Sequence, residues 1–462
     1  MSSRKFNEYK GLDLPQLGRE VLEVWDRENT FGRSITEREG APAFIFYEGP
    51  PSANGLPGIH HVLSRTIKDT ICRYKTQQGY LVRRKAGWDT HGLPVELGVE
   101  KKLGITKEDI GHKISIEEYN RTCREAVMEF TGVWEELTRK MGYWVDMKHP
   151  YITYENKYIE TLWWMLKQLF DKGLLYKGYT IQPYSPAAGT GLSNHELNQP
   201  GCYRDVKDTT CTAQFEIIRD ERSEFLFDDA QGTLYFLAWT TTPWTLPSNT
   251  ALAVGDNIEY VRVKCLNPYT QQPQTVILAK ELLPAYFTPK MEGTYSIGER
   301  IYKGSELVGI RYRQLIDWVK PMGDAFRVIS GDYVTTVDGT GIVHIAPTFG
   351  ADDDRVGKQA GIVPMYVVDR AGKNQPMVDR RGRLFRIEDM DPDFVAKYVD
   401  AERYREWAGR FVKNAYDPSL GPDDPTLDID IAVMLKGEGK AFKIEKHTHS
   451  YPHCWRTDKP VL

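Results

Sequence analysis

The sequence lacks several features that would mark it as a membrane, secreted or disulfide-rich protein. It has no run of about 18 apolar residues, the length that a membrane-spanning helix requires, so we expect no membrane span. The N-terminus has no apolar segment of the secretory kind, which indicates a cytoplasmic protein. None of the six cysteines forms a CxxC pair, a pattern that favours reduced cytosolic thiols over a zinc ribbon or a disulfide framework.

An excess of charge of one sign is also lacking. The chain has 60 Lys and Arg against 64 Asp and Glu, a net charge of −4, so contact with nucleic acid must come from a local patch or from residues outside this sequence. Apolar residues are 41% and charged residues 27%, a composition typical of globular proteins that excludes collagen and coiled coils. The 462 residues exceed the roughly 250–300 at which a single core stops growing, so we expect at least two domains.

The first part of the chain has an α/β pattern. The apolar run AFIFY at 43–47 predicts a buried strand, and the loop GPPSANGLPG at 49–58 follows it. A helical pattern then begins near His61 and ends at Gly79, and a second strand is predicted at 80–86. Because strand, loop, helix and strand in this order form a βαβ unit, we predict a parallel sheet.

Long helices and then short strands are predicted after this unit. Ser115 is expected to open a helix that runs to about residue 140, and a second helix is predicted at 155–172, with Trp163 and Trp164 in the core. After about residue 180 the pattern changes to a separate, mostly β domain. Its predicted strands are 233–240, 259–264, 275–279, 332–336, 341–346 and 362–368.

The loop at 49–58 leads into the start of a helix, an arrangement typical of an anion site. It has neither the G-x-G-x-x-G nor the Walker pattern, which excludes a standard dinucleotide site and a P-loop. His60 and His61 offer imidazole donors that can stabilise charge growing on a phosphate. The loop could equally be a rigid surface turn beside two solvated histidines, and spacing alone does not decide between these interpretations.

Two segments resemble a known family. GPPSANGLPGIHHVLSRTIKD (49–69) resembles the first signature of the class I aminoacyl-tRNA synthetases, and GWDTHGLPVE (87–96) is similar to the form that the isoleucine enzymes have. The similarity extends from about Phe44 to Leu462 and so covers most of the chain.

One departure from the family pattern concerns the histidines. The family has His-x-Gly-His, whereas this sequence has Gly58-Ile59-His60-His61, so the first histidine and the glycine have exchanged places. If the first histidine of the family binds phosphate, His60 must supply that donor from two positions later. We expect His60 and His61 still to stabilise the transition state at the α-phosphate.

The resemblance implies that isoleucine and ATP, with Mg²⁺, form an aminoacyl-adenylate and that the aminoacyl group is then transferred to tRNA(Ile) by a monomeric enzyme. Asp89 would hold the α-ammonium of isoleucine, while Pro50 and Trp88 shape the pocket for its side chain. The remaining residues implied in substrate binding are Pro51, Asn54 and Gly55. No protein ligand to a metal is implied. Without the resemblance, Trp88 would be a core residue and Asp89 the cap of a turn.

A second pair of segments suggests another centre. WTTTPWTLPSNTAL (239–252) places a row of hydroxyls at the end of a strand, although the strand preference of threonine alone could explain it. DGTGIVHIAPTFGADDDRVG (338–357) carries His344 on a predicted strand and then three consecutive aspartates. Three carboxylates could bind a metal, or they could be the acidic first turn of a helix.

Both segments resemble the editing insert of the isoleucine, valine and leucine synthetases. On that resemblance Asp353 grips the α-ammonium of a mischarged amino acid. The residues implied to line the site and to position the hydrolytic water or the terminal ribose are Thr240, Thr241, Thr242, Asn249 and His344. Such a centre is needed because a pocket that fits isoleucine rejects valine only weakly, the difference being one methylene, and the isoleucine enzymes are themselves the usual example of this limit.

The sequence therefore predicts an α/β protein in three parts. Residues 1–184 form the N-terminal half of a Rossmann-like catalytic domain, 185–430 a mostly β editing insert, and 431–462 a return strand that is cut short. The lysine-rich second signature of the family is absent, so we expect a fragment that retains editing rather than adenylation. The histidines of HTHSYPHC (447–454) belong to the return strand or, alternatively, to a metal cluster.

Two other functions remain open. One is a free-standing hydrolase of mischarged tRNA, which would need the insert but not the histidine loop. The other is a non-catalytic tRNA-binding paralogue, against which the threonine row and Asp353 argue.

Overall fold

The computed structural model describes residues 11–421 and 424–462. The chain divides into two compact units, Met1–Gly178 (unit 1) and Tyr179–Leu462 (unit 2). The prediction that the chain has no secretory signal falls partly on residues 1–10, which lie outside the described ranges. The predicted functional assignment of 1–184, 185–430 and 431–462 stays a prediction.

Unit 1 contains seven α-helices and a two-stranded parallel sheet among its described residues. The parallel pairing agrees with the predicted parallel sheet, but the paired strands are not the two of the predicted βαβ unit, which has only a parallel bridge between Ala43 and Leu81. Strand β1 pairs with β2, with Trp88 opposite Ile152. The helices are α1 (Leu14–Arg27), α2 (Thr30–Thr36), α3 (Ile59–Gln77), α4 (Leu93–Leu103), α5 (Ile116–Val127), α6 (Thr131–Lys140) and α7 (Asn156–Asp171), and the strands are β1 (Lys85–Trp88) and β2 (Asp146–Ile152).

The predicted buried strand at 43–47 is wrong. Only Ala43 forms a bridge, with Leu81, and the side chains of Ile45 and Tyr47 are 72% and 88% exposed. An apolar run becomes a buried strand only where neighbouring elements cover it, and no described residue covers these two side chains. The second predicted strand likewise forms regular pairs only from Lys85.

The helix boundaries follow local signals. Gly79 has a φ of +92°, a conformation that favours glycine, and α3 ends just before it as predicted. Ser115 caps α5 by accepting a hydrogen bond from the backbone N–H of Glu118. The long helix predicted to run to residue 140 is instead two helices, because the chain turns at Phe130, whose N–H donates to the carbonyl of Ala53 at 3.0 Å.

Trp163 and Trp164 on α7 are well exposed, so their prediction as core residues is wrong. The apolar side chains of Leu63, Ile67 and Ile71 on α3 are exposed as well. Helical periodicity identifies an apolar face, but it does not tell which element covers that face.

Unit 2 is mostly β. Its largest sheet has six strands in the order β10-β8-β9-β6-β5-β15, in which only the β6–β9 pair is parallel. A second sheet has the order β11-β7-β12, and a core of buried apolar side chains is shared by strands of both sheets. The strands are β3 (Tyr184–Ser185), β4 (Thr190–Gly191), β5 (Tyr203–Glu216), β6 (Thr233–Thr240), β7 (Ala251–Val254), β8 (Glu259–Leu266), β9 (Pro273–Ala279), β10 (Ser296–Lys303), β11 (Arg327–Ser330), β12 (Ile342–Ile345), β13 (Tyr366–Val368), β14 (Asn374–Pro376) and β15 (Ala441–Pro452). The helices are α8 (Asn194–Leu197), α9 (Leu283–Tyr286), α10 (Gly304–Leu307), α11 (Ala351–Ala360), α12 (Pro392–Tyr398), α13 (Ala401–Tyr404) and α14 (Leu427–Gly437).

Five of the six strands predicted in this unit are present, 233–240 at its predicted bounds and the other four with shifted ends. The run at 332–336 is a turn instead, closed by the N–H of Val334 on the carbonyl of Gly331. Strand β15 pairs antiparallel with β5 along nearly its whole length, from Ala441 opposite Ala213 to Pro452 opposite Tyr203. In the described residues, no helix combines the length and the apolar character needed to cross a membrane.

Candidate functional sites

In unit 1, the loop at 49–58 is fixed to α6. The indole N–H of Trp134 donates to the carbonyl of Gly55 at 2.9 Å, and the side chains of Ala53, Trp88 and Trp134 form one buried cluster. The loop is therefore an ordered support for the start of α3. Trp88 is buried within this cluster, directly behind the loop.

His60 and His61 lie against one another at the start of α3, with ring centroids 3.8 Å apart. The backbone N–H of Gly58 donates to Nδ1 of His61 at 2.9 Å, so the proton of the neutral ring is on Nε2. Burial lowers the pKa of His61, and the nearby His60 and Arg65 lower it further. A Cβ at position 58 would lie 2.8 Å from Cε1 of His60, so the exchanged glycine makes room for the exchanged histidine.

Asp89 follows the carboxyl end of β1, the edge at which open α/β sheets bind ligands. Its backbone N–H donates to the carbonyl of Pro51 at 3.0 Å, which joins the two family segments. Its side chain is half-buried, and Oδ1 is 3.5 Å from the N–H of His91, the limit of a hydrogen bond. Most of the carboxylate's capacity to accept hydrogen bonds is therefore not used by any residue that the structure describes. Pro50 and Asn54 are half-buried in the loop.

Two buried charged residues beside this loop were not predicted. The carboxylate of Glu48 accepts hydrogen bonds from Lys68 and from the hydroxyl of Tyr143. The guanidinium of Arg65 lies over the ring of Tyr143, and its Nε and Nη1 have no hydrogen-bond partner among the described residues. The sequence could have indicated Arg65, because it lies one helical turn after His61 on the same helix. Glu48 and Arg65 line a narrow cleft together with Pro51, Ala86, Gly87, Trp88, Val145 and Met147.

In unit 2, the threonine row begins at the end of β6 and enters a buried 3₁₀ helix, Pro243–Ser248. The hydroxyl of Thr240 accepts a hydrogen bond from the N–H of Thr242 at 3.0 Å. The hydroxyl of Thr245 donates to the carbonyl of Thr242 at 2.8 Å. The side chain of Thr241 is half-buried and carries no hydrogen bond among the described residues. Thr245 was not predicted, although it stands three positions after Thr242.

His344 on β12 holds this turn from one side. Its Nε2 lies 2.9 Å from the hydroxyl of Thr245, and its Nδ1 lies 3.5 Å from the amide nitrogen of Asn249. The amide oxygen of Asn249 accepts a hydrogen bond of 2.7 Å from the hydroxyl of Tyr312. Burial lowers the pKa of His344 to about 4, so the ring is neutral at pH 7. Because the hydroxyl of Thr245 donates to the carbonyl of Thr242, it accepts from Nε2 of His344. His344 and Asn249 are both buried, and they support the threonine turn from behind.

Asp353 lies in the first turn of α11, and two donors fix its carboxylate. The hydroxyl of Tyr333 reaches Oδ1 at 3.0 Å and the N–H of Ala346 reaches Oδ2 at 2.9 Å. A carboxylate has about four acceptor positions, so two remain for a ligand. Burial raises the pKa of Asp353, and the two hydrogen bonds oppose that rise.

The neighbouring aspartates have other partners. Asp352 pairs with Arg355 and Asp354 with Lys358, both within α11. The interpretation of the three aspartates as an acidic helix start is therefore correct. The alternative of a three-carboxylate metal site finds no support within 11–421 and 424–462.

Strand β12 joins the two segments of this second centre. Its residue His344 contacts Thr245, and Ala346, two positions later, contacts Asp353. The short stretch 344–346 thus contacts the threonine turn through His344 and Asp353 through Ala346.

The histidines near the end of the chain have separate partners. His447 packs edge-on against Trp239, and Nε2 of His449 lies 3.3 Å from Asp208. Within 11–421 and 424–462, no three His, Cys, Asp or Glu side chains are grouped as metal ligands. The alternative of a metal cluster in this segment therefore finds no support.

Comparison with known proteins gives three results. A family model described as "tRNA synthetases class I (I, L, M and V)" matches residues 20–397. Curated proteins named isoleucine–tRNA ligase are similar: that of Bacteroides fragilis is 64% identical over 100% of this chain and 41% of its own length, and that of Porphyromonas gingivalis 63% over the same shares. The Clostridium tetani protein of that name is 42% identical over 98% of this chain and 38% of its own length. This chain thus spans about 41% of the length of the first two.

One solved structure, titled "The crystal structure of GlLeuRS-CP1", is 15% identical and covers 52% of this chain and 99% of its own, with a TM-score of 0.33.

Proposed function

Because the chain belongs to the class I tRNA synthetases of the I, L, M and V group, we propose that it is part of an isoleucine–tRNA ligase with an editing centre. Unit 1 contributes to the activation of isoleucine, and unit 2 hydrolyses valine esterified to tRNA(Ile). On this proposal residues 1–184 are half of the catalytic domain, 185–430 the editing insert and 431–462 the return strand. The protein acts as a cytoplasmic monomer, and its partners are tRNA(Ile), isoleucine and ATP.

Activation requires that two anions, the isoleucine carboxylate and the α-phosphate of ATP, meet without water competing for them. The α-ammonium of isoleucine binds the free acceptor positions of Asp89, and Pro50 and Trp88 bound its side chain. The Nε2–H groups of His60 and His61 face the phosphate at the start of α3. Mg²⁺ bound to ATP would supply positive charge to the leaving pyrophosphate, and no residue of this chain is assigned to hold it.

Editing requires a group that binds the α-ammonium of the esterified amino acid and a water molecule positioned at the ester carbonyl. The observation that carries this part is the carboxylate of Asp353, which Tyr333 and Ala346 hold rigidly while half of its acceptor positions stay free. Water adds to the ester carbonyl, the bond to the terminal ribose breaks, and the ribose oxygen takes the proton. The hydroxyls of Thr241 and Thr242 orient the ribose or this water, since neutral His344 already donates to Thr245.

A neighbouring residue provides a matched control for Asp353. In the protein expressed at its natural length, Asp353→Ala should slow the hydrolysis of Val-tRNA(Ile) by about 100-fold, the cost expected for a misplaced substrate. Asp352→Ala removes the same group one position earlier, where it pairs with Arg355 at the surface, and should change the rate less than about twofold. Equal rates for the two variants would refute the role of Asp353.

Activation is tested separately by isoleucine-dependent exchange of pyrophosphate into ATP. The double variant His60→Ala/His61→Ala should reduce this exchange and leave hydrolysis of Val-tRNA(Ile) unchanged. Unchanged exchange would refute the role of the two histidines. If the unaltered protein hydrolyses Val-tRNA(Ile) but shows no exchange at all, the free-standing hydrolase is the correct function.

A further inference from the structure

A group of charged side chains is buried behind the threonine turn of unit 2. Asp428 on α14 is 2% exposed and Lys413 is 9% exposed. The ammonium of Lys413 lies 3.3 Å from Oδ2 of Asp428 and 2.9 Å from Oδ2 of Asp208 on β5. His449 on β15 approaches the same oxygen of Asp208 at 3.3 Å. Burial of charged groups costs free energy unless they form ion pairs, and here Asp208 and Asp428 both pair with the ammonium of Lys413.

The second oxygen of Asp428 has a different task. Its Oδ1 accepts the backbone N–H of Trp244 at 2.9 Å. Trp244 is the second residue of the 3₁₀ helix Pro243–Ser248, and helix starts leave such N–H groups without a partner. The ordinary partner is the side chain of the residue just before the helix. That residue is Thr242, whose hydroxyl makes no capping hydrogen bond in this structure.

We propose that Asp428 is a positioning residue that caps the threonine turn in place of Thr242 and so leaves the Thr242 hydroxyl free for the ester substrate. The carboxylate reaches the turn from a helix 184 positions further along the chain. The ammonium of Lys413 favours the ionised form of Asp428, and an ionised carboxylate is a stronger acceptor than a threonine hydroxyl. The inference rests on the proposed editing function, because an uncommitted Thr242 hydroxyl matters only if it forms a hydrogen bond with a substrate.

The turn is then fixed from two sides. On one side His344 binds Thr245, and on the other Asp428 binds Trp244. Thr242 lies just before both contacts, and its hydroxyl is 3.4 Å from those of Thr240 and Thr245, the limit of a hydrogen bond. Without Asp428, the Trp244 N–H loses its only partner among the described residues, and the turn that carries Thr242 loses one of its two supports.

Two measurements on the protein of natural length test this inference. Hydrogen exchange of a peptide covering 240–250 reports the cap directly, and the exchange of 259–279 on β8 and β9 reports the fold. Hydrolysis of Val-tRNA(Ile) reports the hydroxyl through kcat and KM. Asp428→Ala should speed exchange in 240–250 alone and lower kcat by about 10–100-fold with KM unchanged.

The controls separate the cap from packing. Asp391→Ala removes a carboxylate that caps α12 through the N–H of Phe394 at 2.9 Å, and it should alter neither measurement at the threonine turn. Asp428→Asn keeps the acceptor for Trp244 and should retain most of the hydrolysis. If Asp428→Ala does not fold, the pair Asp428→Asn/Lys413→Met decides, since it keeps the acceptor for Trp244 and removes the buried ammonium, which would otherwise pair only with Asp208.

The inference is overturned if Asp428→Ala keeps normal exchange in 240–250, if exchange rises equally in 259–279, or if Asp428→Asn loses as much activity as Asp428→Ala. Loss of hydrolysis in the folded pair Asp428→Asn/Lys413→Met also overturns it. The exchange measurement stays decisive even if the unaltered protein fails to hydrolyse Val-tRNA(Ile), an outcome that would refute the proposed editing function instead.

Discussion

Acid should weaken unit 2 through His344. In the folded chain burial lowers the pKa of this histidine from 6.5 to about 4, whereas in the unfolded chain it has its ordinary value. Between these two values the unfolded state binds a proton that the folded state does not bind. The stability that His344 contributes is therefore complete above about pH 6.5 and is lost as the pH falls toward 4. Since one pKa unit corresponds to about 1.4 kcal/mol, the loss is roughly 3 kcal/mol.

A second buried group acts in the opposite direction in the same pH range. Burial raises the pKa of Asp428 to about 6, so the folded state binds a proton there more readily than the unfolded state does. Its effect on stability improves as the pH falls from 6 toward 4. The slope of the unaltered protein alone therefore does not isolate His344, and a comparison with a variant is needed.

The suitable variant is His344→Gln, whose amide can donate to Thr245 but does not titrate. Free energies of unfolding are measured by denaturant titration from pH 7 to pH 4.5, and the variant is subtracted from the unaltered protein. Stability of the unaltered protein relative to the variant should fall by about 2–3 kcal/mol over this range. Two parallel curves would refute the reasoning, as would a pKa near 6.5 for His344 measured by hydrogen exchange at its ring carbon.

Two further changes have defined outcomes. Gly58→Ala should displace the ring of His60, because the new Cβ would lie 2.8 Å from it, and should lower pyrophosphate exchange by about tenfold. The control Gly49→Ala, whose Cβ would meet no atom within 4 Å, should leave exchange unchanged, and equal exchange in both variants would contradict the proposed role of the His60 ring. Tyr333→Phe removes a hydrogen bond that favours the ionised form of Asp353, so the pKa of Asp353 should rise. The pH at which hydrolysis of Val-tRNA(Ile) is half-maximal should therefore move upward. An unchanged pH profile would count against Asp353 as the ligand of the α-ammonium.

The sequence predicted the features whose causes are local. A glycine with positive φ ended α3 at Gly79, a serine capped α5 at Ser115, and the strand ending in the threonine row was predicted at its true bounds, 233–240. Each depends on residues only a few positions apart. The same holds for the acidic start of α11, where spacing left two interpretations and the ion pairs within the helix decided between them.

What the sequence did not predict depends on distant parts of the chain. The break before α6 follows from the contact between Phe130 and Ala53, and the cap of the threonine turn from that between Trp244 and Asp428. No spacing rule connects residues so far apart. The exposed Trp163 shows the same limit, because periodicity describes a helix and not its surroundings.

The contacts around the threonine turn also bear on how such a centre can discriminate by size. Valine and isoleucine differ by one methylene, so a pocket distinguishes them only if its walls do not yield. If the threonine turn forms such a pocket, as proposed, three separate elements fix its walls: β12 through His344, α14 through Asp428, and α11 through Asp353. Each contact joins a side chain to a backbone N–H or to a buried hydroxyl, groups that are costly to leave unpaired. On the proposed editing function, a wall held in this way would exclude the extra methylene, because the movement that admits it would break a buried hydrogen bond.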